Sequence, residues 1–291
     1  MSNLKKWMAV MGTGFLAFGL AACNSTAEPV GNSGDKNSEK NSELTLQEVF
    51  AKSTEASEKV KSLHADISTN QLMAMGAEGM EMEMNMDIGM DMTIDPLAFY
   101  QTMETTILSE DIENENPLAM EMYYTEDGLF TYEPTMDAWV KMPAESLGEI
   151  EDLMSQESAD PSEQLDQLAA FQDDFSFEQS ADEYILKLDA SGDEFKALLD
   201  SQLDQVMGQM EIEAQSLLED MVIHSANFEI FIDKETFLPN SMNVQMDMDI
   251  SIEGETMNTK SDVKTTYSQY DKIDAITVPA EVLDNAQELS Y

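Results

Sequence analysis

The sequence predicts an α+β fold, with one large antiparallel sheet and helices packed on one of its faces. Three observations lead there. Residues 80–94 and 241–252 alternate apolar and polar with a period of two. Residues 195–221 carry an apolar stripe at helical spacing between two β-rich thirds. A capped helix signal near residue 45 precedes the first strands.

The chain opens on Lys5 and Lys6, then runs without a charge from Trp7 to Leu20. That run is too short to cross a bilayer as a helix. It suits the apolar region of a signal peptide. It ends in Leu20-Ala21-Ala22-Cys23, which reads as a lipobox. Cleavage is expected before Cys23, whose thiol then carries palmitate-type acyl chains. Cys23 is the only cysteine, so no disulfide forms within the chain, and lipidation accounts for a lone thiol in an exported protein. The expected organisation is a signal peptide at 1–22, a lipidated cysteine with a flexible tether at 23–43, and a single domain at 44–291. The expected location is the extracytoplasmic face of the cell membrane, held by lipid on Cys23. The tether is rich in Asn, Ser and Gly. As a flexible coil its ends would sit roughly 25 Å apart.

The domain begins with Thr45 and Glu48 in capping-box spacing, and Leu44 and Val49 are placed to form a hydrophobic staple. A helix is expected at about 46–62. The clearest strand follows at Met80–Ile94. Its even positions are Met80, Met82, Met84, Met86, Ile88, Met90, Met92 and Ile94, and its odd positions are acidic, polar or glycine. This is the pattern of a strand with one buried and one wet face. Phe99–Leu108 reads as the next strand. Met120–Thr125 and Leu129–Tyr132 flank Glu126-Asp127-Gly128 as a hairpin, and Asp137–Met142 completes a meander. Short helical patches are expected within 147–171, a strand at 182–190, and a long helix or helix pair over 195–221. Val222–Ile232 and Ser241–Ile252 are expected to pair through a turn at 233–236. Met242, Val244, Met246, Met248, Ile250 and Ile252 share a face of the second strand. A strand at 259–270 and a short helix at about 280–288 close the chain.

Fourteen lysines and no arginine stand against 59 acidic residues, for a net charge of −45. Such a surface is repelled by nucleic acid and by anionic headgroups. Bidentate phosphate recognition usually uses arginine, so a specific nucleotide site is not expected. The acidity reads as solubility in an extracellular medium.

The meander Tyr124–Trp139, YTEDGLFTYEPTMDAW, and the tail Tyr267–Ala286, YSQYDKIDAITVPAEVLDNA, together with the lipobox, resemble lipoproteins of Bacillus-type Gram-positive bacteria. Their domain is similar to the LolA/LppX superfamily of lipoprotein and lipid carriers. The resemblance covers about Leu44 to Tyr291 and carries no catalytic signature. It implies a curved antiparallel sheet, an incompletely closed β-barrel, with helices covering the concave face and acyl chains held between. The absence of arginine departs from lipoprotein chaperones that depend on one.

The candidate site is a wall for a hydrophobic ligand made of Met82, Met84, Met86, Met90, Met246 and Met248. Methionine is also a flexible filler of cores, so a plain packed core is the competing reading. Closely spaced thioethers can bind Cu(I). However, Ile88, Ile94, Val244, Ile250 and Ile252 share the methionine faces, so the positions ask for apolarity rather than sulfur. Asp247-x-Asp249-x-Ser251 begins like a calcium loop but has Ile252 and Asn258 where an EF-hand needs Gly and Glu. His64 and His224 form no zinc or metalloprotease spacing. No metal, cofactor or enzymatic activity is expected. The expected partners are the membrane, through Cys23, and an acyl chain or other apolar ligand, with the protein a monomer. An envelope interaction or sensory protein with a filled core is the alternative. Cells fed alkyne-tagged palmitate should label the wild-type chain and leave Cys23→Ser unlabelled.

Overall fold

A computed structural model of the chain describes residues 26–30, 42–75, 80–109, 117–142, 174–190, 221–252 and 255–288. The elements are β1 (Glu28–Pro29), α1 (Leu46–Ser57), β2 (Ser62–Met75), β3 (Met80–Ile94), β4 (Leu97–Ser109), β5 (Leu118–Thr125), β6 (Gly128–Glu133), β7 (Ala138–Lys141), β8 (Ser176–Gln179), β9 (Glu183–Asp189), β10 (Val222–Asp233), β11 (Pro239–Ile252), β12 (Glu255–Ser268), α2 (Ala280–Asn285) and β13 (Gln287–Glu288). All thirteen strands belong to one sheet, in the order β1-β8-β9-β10-β11-β12-β2-β3-β4-β5-β6-β7-β13.

The expected fold class needs correction. The sheet is mixed, because β1 pairs parallel with β8 and β13 pairs parallel with β7. It is open: its two edges are these two-residue strands, so no barrel closes. Nor do the helices share one face. The α1 helix packs on the methionine side, whereas Val282 of α2 packs with Phe130, Trp139 and Tyr123 on the other side. Among the described residues these are the two helices. The helices expected within 147–171 and 195–221 lie outside the described residues. Part of the expected tether also belongs to the sheet. Ala27 is fully buried, and β1 seats Pro29 at an edge, where a missing N–H costs no ladder bond.

Local chemistry explains the elements. Thr45 Oγ1 accepts from the Glu48 N–H (3.3 Å), and the Glu48 carboxylate accepts from the Thr45 N–H (2.9 Å). This closes the capping box, and the hydrogen bond from the Thr45 backbone lowers the Glu48 pKa. Leu44 packs on the same cluster as Val49, so the staple forms too. The helix stops at Ser57, short of the expected 62, because the chain must turn to start β2 at Ser62. Thr125 pairs with Gly128 across a two-residue hairpin loop, and Gly128 takes φ +128°, which glycine adopts freely. The β10–β11 turn is held by Asp233 Oδ1, which accepts from the backbone N–H of Glu235 (3.0 Å) and Thr236 (2.7 Å).

Two apolar clusters anchor the methionine side. In the first, Leu46, Val49 and Phe50 of α1 dock on Phe175, Leu186 and Ile230. Phe50 meets Phe175 edge-on, with centroids 5.4 Å apart. In the second, Leu63, Met92, Phe99, Tyr124 and Leu129 line up across β2 to β6, and Phe99 stacks on Tyr124 at 5.5 Å.

Away from the α2 cluster, the opposite face is polar. There His64 donates from Nδ1 to Asp91 (2.7 Å), and its Nε2 lies 3.2 Å from Asp66. Burial works against the charged ring, but the hydrogen bonds with Asp91 and Asp66 outweigh it and raise the pKa above the usual 6.5. A raised folded-state value stabilises the protein fully below the unfolded pKa, and this is lost as pH rises through the folded value. Between about pH 6 and about pH 9, the wild-type melting temperature should therefore fall further than that of His64→Gln. Parallel thermal scans check this. Thr45→Ala should lower stability by about 1 kcal/mol, read from urea denaturation.

Candidate functional site

Strand register gathers the methionines of β3 and β11 on one face of the sheet. Along β3 it carries Met82, Met84, Met86, Ile88 and Met90, and along β11 it carries Met242, Val244, Met246, Met248 and Ile250. The six residues expected as a wall therefore share a face, and all six are half-buried. The two methionine strands are not neighbours. β12 and β2 lie between them, three strand spacings or about 14 Å across. Three lateral rows run over this span: Met248–Thr259–Met73–Met82, Met246–Ser261–Gln71–Met84, and Val244–Val263–Thr69–Met86.

These rows add residues that the sequence reading missed. Met73 and Met257 come from the middle strands. Met103, Met120 and Met122 extend the face onto β4 and β5. A narrow polar stripe of Thr259, Ser261, Thr69 and Gln71 runs between the two methionine strands. Its signal was the Leu63-x-Ala65-x-Ile67 alternation, which fades into Thr69 and Gln71 before Met73 resumes it. Ile67 faces Ile88 and Val244 faces Val263 at positions equivalent to the methionine pair Met73 and Met82, so the face requires apolarity and sulfur is optional.

Burial grades along the face. Met92 is 3% exposed and Phe99 is 1% exposed at the end that holds Leu63. At the other end Met75 is 45%, Ile107 39% and Leu118 52% exposed. Met90 packs on the Leu63 cluster and Met246 on the α1 cluster. Among the described residues, Met82, Met84, Met86 and Met248 join neither cluster.

Two cavities lined by described residues open on the polar face. One of about 590 Å³ is lined by Ser176, Lys187, Glu229, Asn243, Asp262 and Lys264. The other, about 400 Å³, is lined by Asp66, Asp87, Gly89, Thr102, Glu104 and Lys264. The charged groups on this face mostly answer one another. Lys187 pairs with Glu178 (2.9 Å) and reaches Glu229 (3.7 Å). Gln245 donates to Asp262 (2.7 Å). A register shift in β10 between Ile223 and Ser225 frees His224 to reach Asp249 at 2.9 Å, as bulges re-aim side chains.

The Asp247-x-Asp249 pair sits on this polar face. The Asn258 amide donates to both, at 3.0 and 2.9 Å, and Lys260 stands 3.4 Å from Asp247. The hydrogen bond from Asn258, then that with His224, lowers the Asp249 pKa. Their charge is met by amide, lysine and imidazole groups of the chain itself. Among the described residues, no three His, Cys, Asp or Glu side chains converge as a metal site would require. Cys23 lies outside the described residues.

No curated protein matches the chain in sequence. Among solved structures, the chain is similar to LprF from Mycobacterium bovis, with 13% identity over 80% of this chain and 95% of that one, at a TM-score of 0.36. A structure of lipid–protein interactions in lipovitellin matches 76% of this chain and 26% of that chain, with 6% identity and a TM-score of 0.33. A DUF1329 family protein from Desulfovibrio piger matches 78% of this chain and 93% of its own, with 10% identity and a TM-score of 0.20. Scores this low carry no function across. The family model is a different matter, since it matches residues 45–287, from the cap of α1 to the start of β13. The chain therefore belongs to that family, a family of unknown function designated DUF6612.

Proposed function

We propose that this protein is a lipoprotein anchored through Cys23 at the extracytoplasmic face of the cell membrane, and that its methionine face binds an acyl chain or similar apolar ligand without catalysis. One observation carries the reading. Met82, Met84, Met86 and Met248 lie half-buried on one face of the sheet, yet outside the packed clusters of the described residues. Side chains of a finished core bury almost completely, as Met92 does at 3% exposure. Apolar surface left partly open in this way marks an interaction site. Methionine suits it, because an unbranched thioether adapts to ligands of varying shape.

Binding on such a wall draws on desolvation, and the magnitudes set a length requirement. Each buried methylene contributes roughly 0.8 kcal/mol, while association costs roughly 4–15 kcal/mol. A chain of about fourteen methylenes supplies roughly 11 kcal/mol and can be held, whereas about six supply only roughly 5.

The more exposed end of the face supports a second reading. Met75, Ile107 and Leu118 would then meet an envelope protein rather than a lipid. Reproducible enrichment of one protein in pull-downs from native membranes would favour it.

Native mass spectrometry on residues 24–291, the mature chain without Cys23, separates the two readings. All described elements are retained and no anchor lipid is present. A heavier species that falls to the bare mass on organic extraction is expected, with tetradecyl and longer chains retained and octyl chains lost. Bare mass alone, unchanged after incubation with membrane lipids, would remove the lipid reading.

A further inference from the structure

The polar stripe between the methionine strands holds an oddity. Thr259 is 3% exposed, and its Oγ1 is buried with no hydrogen-bond partner. It sits in the row Met248–Thr259–Met73–Met82, with a methionine on either side. A buried hydroxyl without a partner lowers stability, and valine would fill the same volume without that cost.

Other buried polar atoms without partners have local remedies. Ser53 and Ser57 lie on α1, where a serine can turn to the carbonyl four residues back. Asn243 Oδ1 lies at the 590 Å³ cavity of the polar face. Glu178 has its ion pair with Lys187. Thr259 has none of these. β12 is an interior strand, laddered to β11 on one side and β2 on the other; its neighbours' carbonyls already accept ladder bonds, and none of them takes one from this hydroxyl. The flanking thioethers are at best weak acceptors.

We propose that Thr259 is a specificity residue of the methionine face. Its hydroxyl donates to the carbonyl oxygen of a bound acyl ester, so the ligand is an acyl chain bearing an uncharged carbonyl rather than a plain hydrocarbon. The proposal rests on the apolar-ligand reading above and adds the chemistry of one end of the ligand. An ester carbonyl fits better than a free carboxylate. A carboxylate would have to be buried in an apolar wall on a chain of net charge −45, with no described cation among the methionine rows to meet it. Met73 and Met248 flank Thr259 in the ladder, and their thioether side chains are flexible enough to part for a chain.

The experiment compares methyl palmitate with hexadecane, each delivered from cyclodextrin to residues 24–291 of the wild type, Thr259→Val and Thr259→Ser. The wild type should prefer the ester by about tenfold, the scale of one well-placed hydrogen bond. Thr259→Val should lose that preference and keep its hexadecane affinity, and Thr259→Ser should retain it. Thr259→Val should also melt no lower than the wild type, since an isosteric methyl removes an unsatisfied hydroxyl. An undiminished ester preference in Thr259→Val overturns the assignment, and so does a lower melting temperature, which would reveal a structural partner. If the wild type binds neither compound, the apolar-ligand reading itself falls.

Discussion

The structure depends on the pairing of β12 with β2. These strands lie near opposite ends of the chain, yet they run antiparallel in unbroken register from Met257–Met75 to Ser268–His64. That pairing makes one sheet from two local meanders, β2 to β7 and β8 to β12. Closing so long a loop costs only slowly more entropy as the loop lengthens, and a dozen ladder positions offset it. The register has a further effect, because a slip by one residue would swap the faces of every strand on one side. Both methionine strands present thioethers to the same side only because Thr259 meets Met73 and Val263 meets Thr69.

The register also separates two chemistries. One face is nearly free of charge, while the other carries the carboxylates, amides and lysines. On the second face, acids are held close together by hydrogen bonds from Asn258, Gln245 and Asn70, which offset the repulsion expected of so acidic a chain. The outer edges need separate protection. Each ends in a two-residue strand, with Glu28 and Pro29 at one and Gln287 and Glu288 at the other. Short, charged or proline-bearing edges discourage a further strand from adding.

Legibility in the sequence followed pattern strength. β3 and β11 could be read almost to the residue, because every second position is apolar over a dozen residues or more. The cap of α1 was legible because Thr45 and Glu48 state it chemically. β2 blurred, since Thr69 and Gln71 occupy its apolar face while Leu72 and Ala74 lie on the other. β1 and β13 are too short to show any period, so the parallel edges and the mixed character of the sheet could not be foreseen. The opposite placement of α2 had a signal. Phe130, Tyr132 and Trp139 alternate out of phase with Leu129, Thr131 and Val140, which puts aromatic surface on the nominally wet face. Of the candidate site, the methionines of β3 and β11 were visible, but the hydroxyl stripe was not, because its members come from β2 and β12 and meet only through long-range pairing.

Ala27, buried against the α1 cluster, lies four residues beyond Cys23. Four residues of fully extended chain reach at most about 14 Å. If the anchor sits on Cys23, this protein is moored on a short leash and by one corner, the β1–β8 edge. It could not sample the space beyond the membrane freely. Its sheet would instead swing close above the lipid surface, so exchange of a chain with the outer leaflet would be a matter of tilting, without diffusion through water.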